Sequence, residues 1–377
     1  MKRRDAARPA RVAVFGAGSW GTTFAKVLAD AGADVTVWAR RAEVATELNE
    51  AHRNSEYLPG VNLPRRVHAT TRLDQALDGA EQVYLSVPSQ SLRRGLGLVS
   101  GHLDDGSIVV SLIKGVERTT GRRMSEVIAE ELRLDPGRIA VASGPNLALE
   151  IAREQPTASV VASEDLETAG RVARTAGNGY MKFFVGTDVV GTEFAGILKN
   201  LIAVAIGIVD GVGYGENTKA AIITRGLVEM TDFAVAYGAA PETLTGLAGL
   251  GDLIATCTSP LSRNNTAGRL LGQGYSYSDV IAQMDQTAEG LTSVKAVLAL
   301  ARQRGVRMPI VRQVGQVLDG TLDPKDIAPH MATESDEPQG ERNPHGHSDG
   351  RARLRGAFQR AFDKLRDRRR DSRGHRP

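Results

Sequence analysis

Arg11 to Thr22 reads RVAVFGAGSWGT. A short apolar run, Val12 to Phe15, leads into Gly16-x-Gly18-x-x-Gly21, and helical character follows from Thr22 to Ala31. Three glycines at this spacing are common by themselves, but between a strand and a helix each has a task. The first permits a tight turn, the second lets backbone approach a pyrophosphate, and the third lets the helix pack on the strand. The N-terminus of the helix then holds the phosphates. The segment therefore predicts a dinucleotide-binding turn at the start of a doubly wound α/β domain, with Gly16, Gly18 and Gly21 against the cofactor.

Working outward, a second strand, Asp34 to Trp38, ends in Ala39-Arg40-Arg41. Sites selective for the unphosphorylated dinucleotide usually carry Asp or Glu here to grip the ribose 2′-hydroxyl. Two guanidinium groups suit a 2′-phosphate instead, so Arg40 and Arg41 favour NADP without excluding NAD. Further apolar runs at Gln82 to Val87, Ser107 to Leu112, Arg138 to Ala142, Pro156 to Ala162 and Met181 to Val185 fit the strands of such a sheet. Ligands bind beyond the carboxyl ends of these strands. Three loops there carry chemistry: Ser86-Val87-Pro88-Ser89, Ile113 to Glu117 with an ammonium at Lys114, and Gly144-Pro145-Asn146 before a helix starting near Leu147.

After Gly186 the pattern turns helical, from Val189 to about Gly320. Thr192 to Gly211, TEFAGILKNLIAVAIGIVDG, has Lys199 as its one basic residue and no polar side chain between Leu201 and Val209. A helix apolar all round belongs inside a domain, and this apolar run is too short to cross a bilayer. Burial disfavours an ammonium and brings its pKa toward the range useful for proton transfer, which makes Lys199 a candidate acid/base. The competing reading is a lysine whose stem packs on the core while its amine reaches solvent. Asp210 to Gly226 reads as a glycine-rich turn feeding another helix. Gly246 to Asn264 reads as a loop holding Asp252 and ending in Ser262-Arg263-Asn264. Serine, guanidinium and amide at a helix start can hold a phosphate, and Ser262 can equally be an ordinary N-cap.

The chain has 377 residues, 41% of them hydrophobic, enough for two domains. Its formal charge is +3, but residues 351–377 hold eleven Lys or Arg against three Asp. The remainder thus carries about −5, and no nucleic-acid-binding body is expected. One cysteine, Cys257, excludes an internal disulfide and fits a reducing compartment, so a cytoplasmic protein is expected. The expected division is a basic leader over 1–10, a Rossmann domain over 11–187, a helical catalytic domain over 188–330, and a flexible linker and basic tail over 331–377. In the tail, Leu354, Ala357, Phe358, Ala361, Phe362 and Leu365 fall on one helical face among basic residues. Such a helix can make weak, salt-sensitive contact with anionic lipid, though a solubilising tail is the blander reading. The histidines show no ligand spacing apart from His345-x-His347, and no metal is expected.

Taken together, GAGSWGT, the IKGVE loop, SGPN, the Lys199-Asn200 pair, NTKAAIITRG, GLGDLIATCTS, LSRN and Ala288-Glu289-Gly290 resemble the bacterial NAD(P)-dependent glycerol-3-phosphate dehydrogenases, in the family's order from about Arg11 to Leu322. The resemblance implies a Rossmann domain followed by a helical domain of the 6-phosphogluconate dehydrogenase type. It implies reduction of dihydroxyacetone phosphate to sn-glycerol 3-phosphate for phospholipid synthesis, with NADPH or NADH, by a homodimer. By the same resemblance Lys199 is the catalytic acid/base, with Lys114, Gly144, Asn146, Asp252, Ser262, Arg263 and Asn264 around substrate. Ser19, Trp20, Arg40, Arg41, Lys114, Ala148, Arg263, Thr287 and Glu289 would contact the cofactor. The match is loosest at Asn146 and Thr287.

Two other readings stay open on the residues alone. A hydroxyacid or ketopantoate reductase would share the glycine turn and a buried lysine without needing a phosphate on its substrate. A dinucleotide-sensing protein with a nucleic-acid-binding tail would need neither Lys199 nor Lys114.

Overall fold

The computed structural model describes residues 8–284 and 288–327; the leader up to residue 7, Thr287 and the tail fall outside them. Eight strands form one sheet: β1 (Arg11–Phe15), β2 (Asp34–Trp38), β3 (Val67–Thr70), β4 (Gln82–Leu85), β5 (Ile108–Ser111), β6 (Ile139–Ser143), β7 (Thr157–Ala162) and β8 (Met181–Gly186). Their order is β3-β2-β1-β4-β5-β6-β7-β8, parallel through β6, with β7 antiparallel to β6 and β8 parallel to β7. The chain therefore builds a Rossmann-type sheet and then adds two strands of opposite direction.

Seven helices accompany the sheet: α1 (Ser19–Asp30), α2 (Ala42–Glu50), α3 (Leu73–Leu77), α4 (Leu92–Val99), α5 (Met124–Leu132), α6 (Ala148–Ala152) and α7 (Leu166–Ala176). Strands β4 and β5 are buried along their whole length, as expected where helices cover both faces of a parallel sheet. Strand β3 escaped the sequence reading. It is only four residues long, and its burial alternates at the edge of the sheet.

The second half is helical throughout its described residues: α8 (Val189–Val212), α9 (Glu216–Ala236), α10 (Pro241–Thr245), α11 (Asp252–Thr258), α12 (Arg263–Gly272), α13 (Tyr277–Gln283), α14 (Glu289–Gln303) and α15 (Pro309–Leu318). Helix α8 is buried from Gly191 to Val209, and α9, α11, α12, α14 and α15 pack around it. At 24 residues it spans about 36 Å at 1.5 Å per residue, long enough for a bilayer. Length therefore does not exclude a membrane span, contrary to the sequence reading. What speaks for an interior helix is that 83% of its most apolar window is buried in protein.

Helices α8 and α12 run parallel with their backbones in contact. A Cβ on Gly207 would lie 2.1 Å from the Asn265 carbonyl oxygen, and one on Gly211 2.2 Å from that of Arg269. From the other side, a Cβ on Gly268 would lie 2.2 Å from Val204 O, and one on Gly272 2.2 Å from Ile208 O. Four glycines at i, i+4 spacing on facing helices thus permit an approach that any side chain would block. Between α10 and α11 the chain makes a single π-helical turn, Leu247–Gly251, closed by Gly251 N donating to Gly246 O at 3.1 Å. A Cβ on Gly249 would lie 2.0 Å from Leu244 O, so glycine is required there as well.

Gly268→Ala should destabilise the protein by about 1 to 3 kcal/mol, the usual cost of overpacking against backbone that cannot retreat. Gly97→Ala, on the exposed side of α4 with open space around its Cα, should instead gain up to about 1 kcal/mol of helix propensity. Urea denaturation midpoints of the two variants, moving in opposite directions, check this.

Candidate active site

The glycine turn has the shape a dinucleotide needs. Gly16 has φ of +120°, and a Cβ there would lie 2.4 Å from Ser86 O at the end of β4. A Cβ on Gly21 would lie 2.0 Å from Gly16 O, so the third glycine lets α1 sit on the turn. Around Gly18 nothing lies within 4 Å of a built Cβ, which leaves its backbone open to a ligand. Gly18 is also the N-cap of the 12-residue helix α1, whose first residue is Ser19. Its free N–H groups and dipole therefore face that opening. The Trp20 indole N–H is buried there without a partner among the described residues. Arg40 is exposed at the end of β2, and Arg41 is the N-cap of α2.

The second cluster joins the two halves of the chain. Lys199 Nζ, on α8, donates to Asp252 Oδ1 at 2.7 Å and to Thr256 Oγ1 at 2.5 Å. Lys114 Nζ, on the loop after β5, donates to Asp252 Oδ2 at 2.7 Å and to the Gly144 carbonyl at 3.1 Å. One carboxylate, 1% exposed, thus holds two ammonium groups. Lys114 reaches this position because residue 196 is glycine: a Cβ there would lie 2.7 Å from Ser143 Oγ and 3.3 Å from Lys114 Cγ. Desolvation brings the Lys199 pKa down from 10.5 to about 8, Asp252 opposing and Lys114 adding to the shift. Cys257, also beside Lys199, is pushed up to about 12 by burial and stays a thiol, not a nucleophile.

Asp252 does not lie in a loop, as the sequence suggested; it opens α11 directly after the π turn. Thr256 follows one helical turn later, and the sequence reading missed it for that reason. An Asp and a Thr at i, i+4 share a helix face, a signal visible only once the segment is taken as helical. Lys114 is also not free at the crevice mouth, since Asp252 engages it.

Beside the lysines, polar groups converge. The Asn146 amide and the Ser143 hydroxyl are buried without a hydrogen-bond partner among the described residues, on either side of Gly144. An unpaired buried polar group costs about 1 to 3 kcal/mol, which a ligand supplying partners relieves. Ser262 caps α12, its Oγ accepting from Asn265 N at 3.2 Å. Asn264 braces three helices: its Nδ2 donates to Asn200 Oδ1 at 2.9 Å, and its Oδ1 accepts from Gly290 N at 2.9 Å. Both side-chain readings of the Ser262 to Asn264 group are therefore structural in part, leaving the Ser262 O–H and one Asn264 N–H for a ligand. Arg263 keeps solvent access in the crevice, where the surrounding protein lowers its pKa and Glu289 opposes the shift. Burial raises the pKa of Glu289, whose carboxylate accepts from Ser89 N at 3.2 Å and Ser89 Oγ at 2.9 Å across the seam between the halves. Ala148 opens α6, its carbonyl accepting from Thr23 Oγ1 at 3.3 Å. Thr287 lies outside the described residues. Among the described residues no group of His, Cys, Asp or Glu could hold a metal ion.

Comparison with known proteins gives one consistent result. Residues 11–169 match the family model for the NAD-dependent glycerol-3-phosphate dehydrogenase N-terminus, and residues 188–329 match that for the C-terminus. A protein of Leifsonia xyli subsp. xyli named glycerol-3-phosphate dehydrogenase (NAD(P)+) is 66% identical over 97% of this chain and 100% of its own. One of Streptomyces griseus with the same name is 50% identical over 88% of this chain and 98% of its own. The crystal structure of glycerol-3-phosphate dehydrogenase from Coxiella burnetii superposes with a TM-score of 0.82 at 35% identity, covering 86% of this chain and 99% of that one.

In protein with labelled lysines, the Lys199 amine should titrate near pH 8 by nitrogen NMR. Asp252→Asn, which removes the charge that favours the ammonium, should move the midpoint lower. Between about 8 and 10.5 the unfolded chain holds a proton that the folded one has released, so this lysine makes stability rise with pH across that window.

Proposed function

The chain belongs to the NAD-dependent glycerol-3-phosphate dehydrogenase family, and from that premise we propose that it interconverts dihydroxyacetone phosphate and sn-glycerol 3-phosphate with NADPH or NADH. The reduction would supply glycerol phosphate for phospholipid synthesis. The observation that carries this reading is the Asp252 carboxylate shared by Lys199 and Lys114, beside the N-terminus of α12 with Arg263. Two cations against one anion leave net positive charge in a largely buried cluster, which suits an anionic substrate.

When bound at the glycine turn, the reduced nicotinamide supplies the hydride that the ketone carbon accepts. Gly16, Gly18, Ser19, Trp20 and Gly21 would hold its pyrophosphate end and Arg40 and Arg41 its ribose end. Lys114, Ala148, Arg263 and Glu289 would line its course to the seam. A pKa near 8 lets Lys199 act in both directions: as ammonium it gives a proton to the carbonyl oxygen, and as amine it takes one from the hydroxyl. Asp252 and Thr256 fix the Lys199 amine in place, while Lys114 adds a second N–H donor that steadies charge developing on the oxygen. The Asn146 amide and Ser143 hydroxyl supply partners for substrate hydroxyls. Ser262, Arg263 and Asn264 at the start of α12 hold the phosphate, and that remote grip fixes the reacting carbon.

The same proposal places the boundary between the dinucleotide and catalytic domains at residues 187/188, between β8 and α8, a reading supported by the start of the C-terminal family match at residue 188. It takes the enzyme as a cytoplasmic homodimer, with the tail on anionic lipid at most weakly.

Lys199→Ala should lose about three orders of magnitude in kcat with the fold intact, as expected when an acid/base group and its charge are removed together. A loss confined to KM would make Lys199 a binding residue. Arg263→Ala should raise KM for dihydroxyacetone phosphate strongly and barely change the residual rate with unphosphorylated dihydroxyacetone. Steady-state kinetics with the two substrates distinguishes phosphate binding from a role in cofactor or fold, which would weaken both alike.

A further inference from the structure

The end of β2 lacks the acidic residue that grips a ribose 2′-hydroxyl, and just beyond it a carboxylate from elsewhere in the chain pairs with Arg41. The loop after α2 is anchored on the glycine turn: Asn54, 1% exposed, donates from Nδ2 to Ala17 O at 2.9 Å and to Thr22 Oγ1 at 2.7 Å. Four residues on, Leu58 is buried in the core of the α/β half, its N–H donating to Asn54 O at 2.8 Å. Between these anchors stand Glu56 and Tyr57. The Glu56 carboxylate forms an ion pair with the Arg41 guanidinium, which also lies 5.6 Å from the centroid of the Tyr57 ring. Arg41 is thus held on both sides by a loop that is itself fixed to the phosphate-binding turn. Arg40, beside it, is exposed.

We propose that Glu56 sets the cofactor preference by competing with the 2′-phosphate of NADP for the Arg41 guanidinium. The inference rests on the nicotinamide-dependent reading above and deepens it. With Arg41 held by Glu56, the strand end presents a carboxylate, able to accept from the ribose 2′-hydroxyl of NAD in place of the missing acid. With Arg41 released, it presents a guanidinium fork to a phosphate. Both partners reach solvent, with side chains 42% and 54% exposed, so the pair is weak enough to be exchanged.

The test is titration of the full chain with NADPH and with NADH, following tryptophan fluorescence, for the wild type, Glu56→Gln, Arg41→Ala and the double variant. Glu56→Gln should raise the preference for NADPH over NADH by about two- to fivefold, the size of an exposed ion pair. In the Arg41→Ala background the same substitution should raise the preference clearly less, because the competition for the guanidinium is gone. An unchanged or lowered preference in the single variant would overturn the proposal and make Glu56 a brace of its loop. An equal rise in both backgrounds would overturn it too, since it would mean that Glu56 merely repels the phosphate. If the wild type binds neither dinucleotide, the functional reading itself fails, a result distinct from the other two.

Discussion

The bare backbone contact between α8 and α12 is the constraint on which the site depends. Lys199 and Asn200 lie on α8, and Ser262, Arg263 and Asn264 lie at the start of α12. With Gly207, Gly211, Gly268 and Gly272 at the contact, the two helices meet at a separation that no side chain would permit. The distance from Lys199 to the first turn of α12 is then set by main chain, which has one geometry, and not by side chains, which have several rotamers. Asn264 completes the arrangement by tying α12 to Asn200 and to the first turn of α14.

A second constraint is electrostatic. A lysine as buried as Lys199 is costly as an ammonium, and Asp252 offsets that cost while Lys114 competes for the same carboxylate. The result lies between a strong ion pair, which would keep the lysine protonated, and an isolated buried amine, which would keep it neutral. Because Lys114 comes from the loop after β5, the position of Asp252 also couples the sheet to the helical half. Glu289 does the same at Ser89.

Much of this was legible in the sequence because it rests on local pattern. The glycine turn, most strands and the apolar α8 each announce themselves within a dozen residues, and Lys199 stands out as a basic residue in an apolar helix. What was not legible depends on distant partners. Strand β3 is short and exists because β2 pairs with it. Asp252 read as loop because a π turn interrupts the helical period just before it, and Thr256 was lost with it. The backbone contact of α8 with α12 could not be seen either: Gly207-x-x-x-Gly211 and Gly268-x-x-x-Gly272 are each visible, but nothing local says that they face one another.

Arg41 shows the same limit at the level of function. In the sequence, two arginines after β2 count as two cations for a phosphate. In the fold, one of them is engaged by a carboxylate fifteen residues further on, carried there by a loop whose anchor, Asn54, is itself buried against the glycine turn. The charge that a ligand meets at this strand end is therefore a property of the pair and not of either residue. An exposed pair of this kind contributes little to stability, so its effect falls almost wholly on which ligand displaces it.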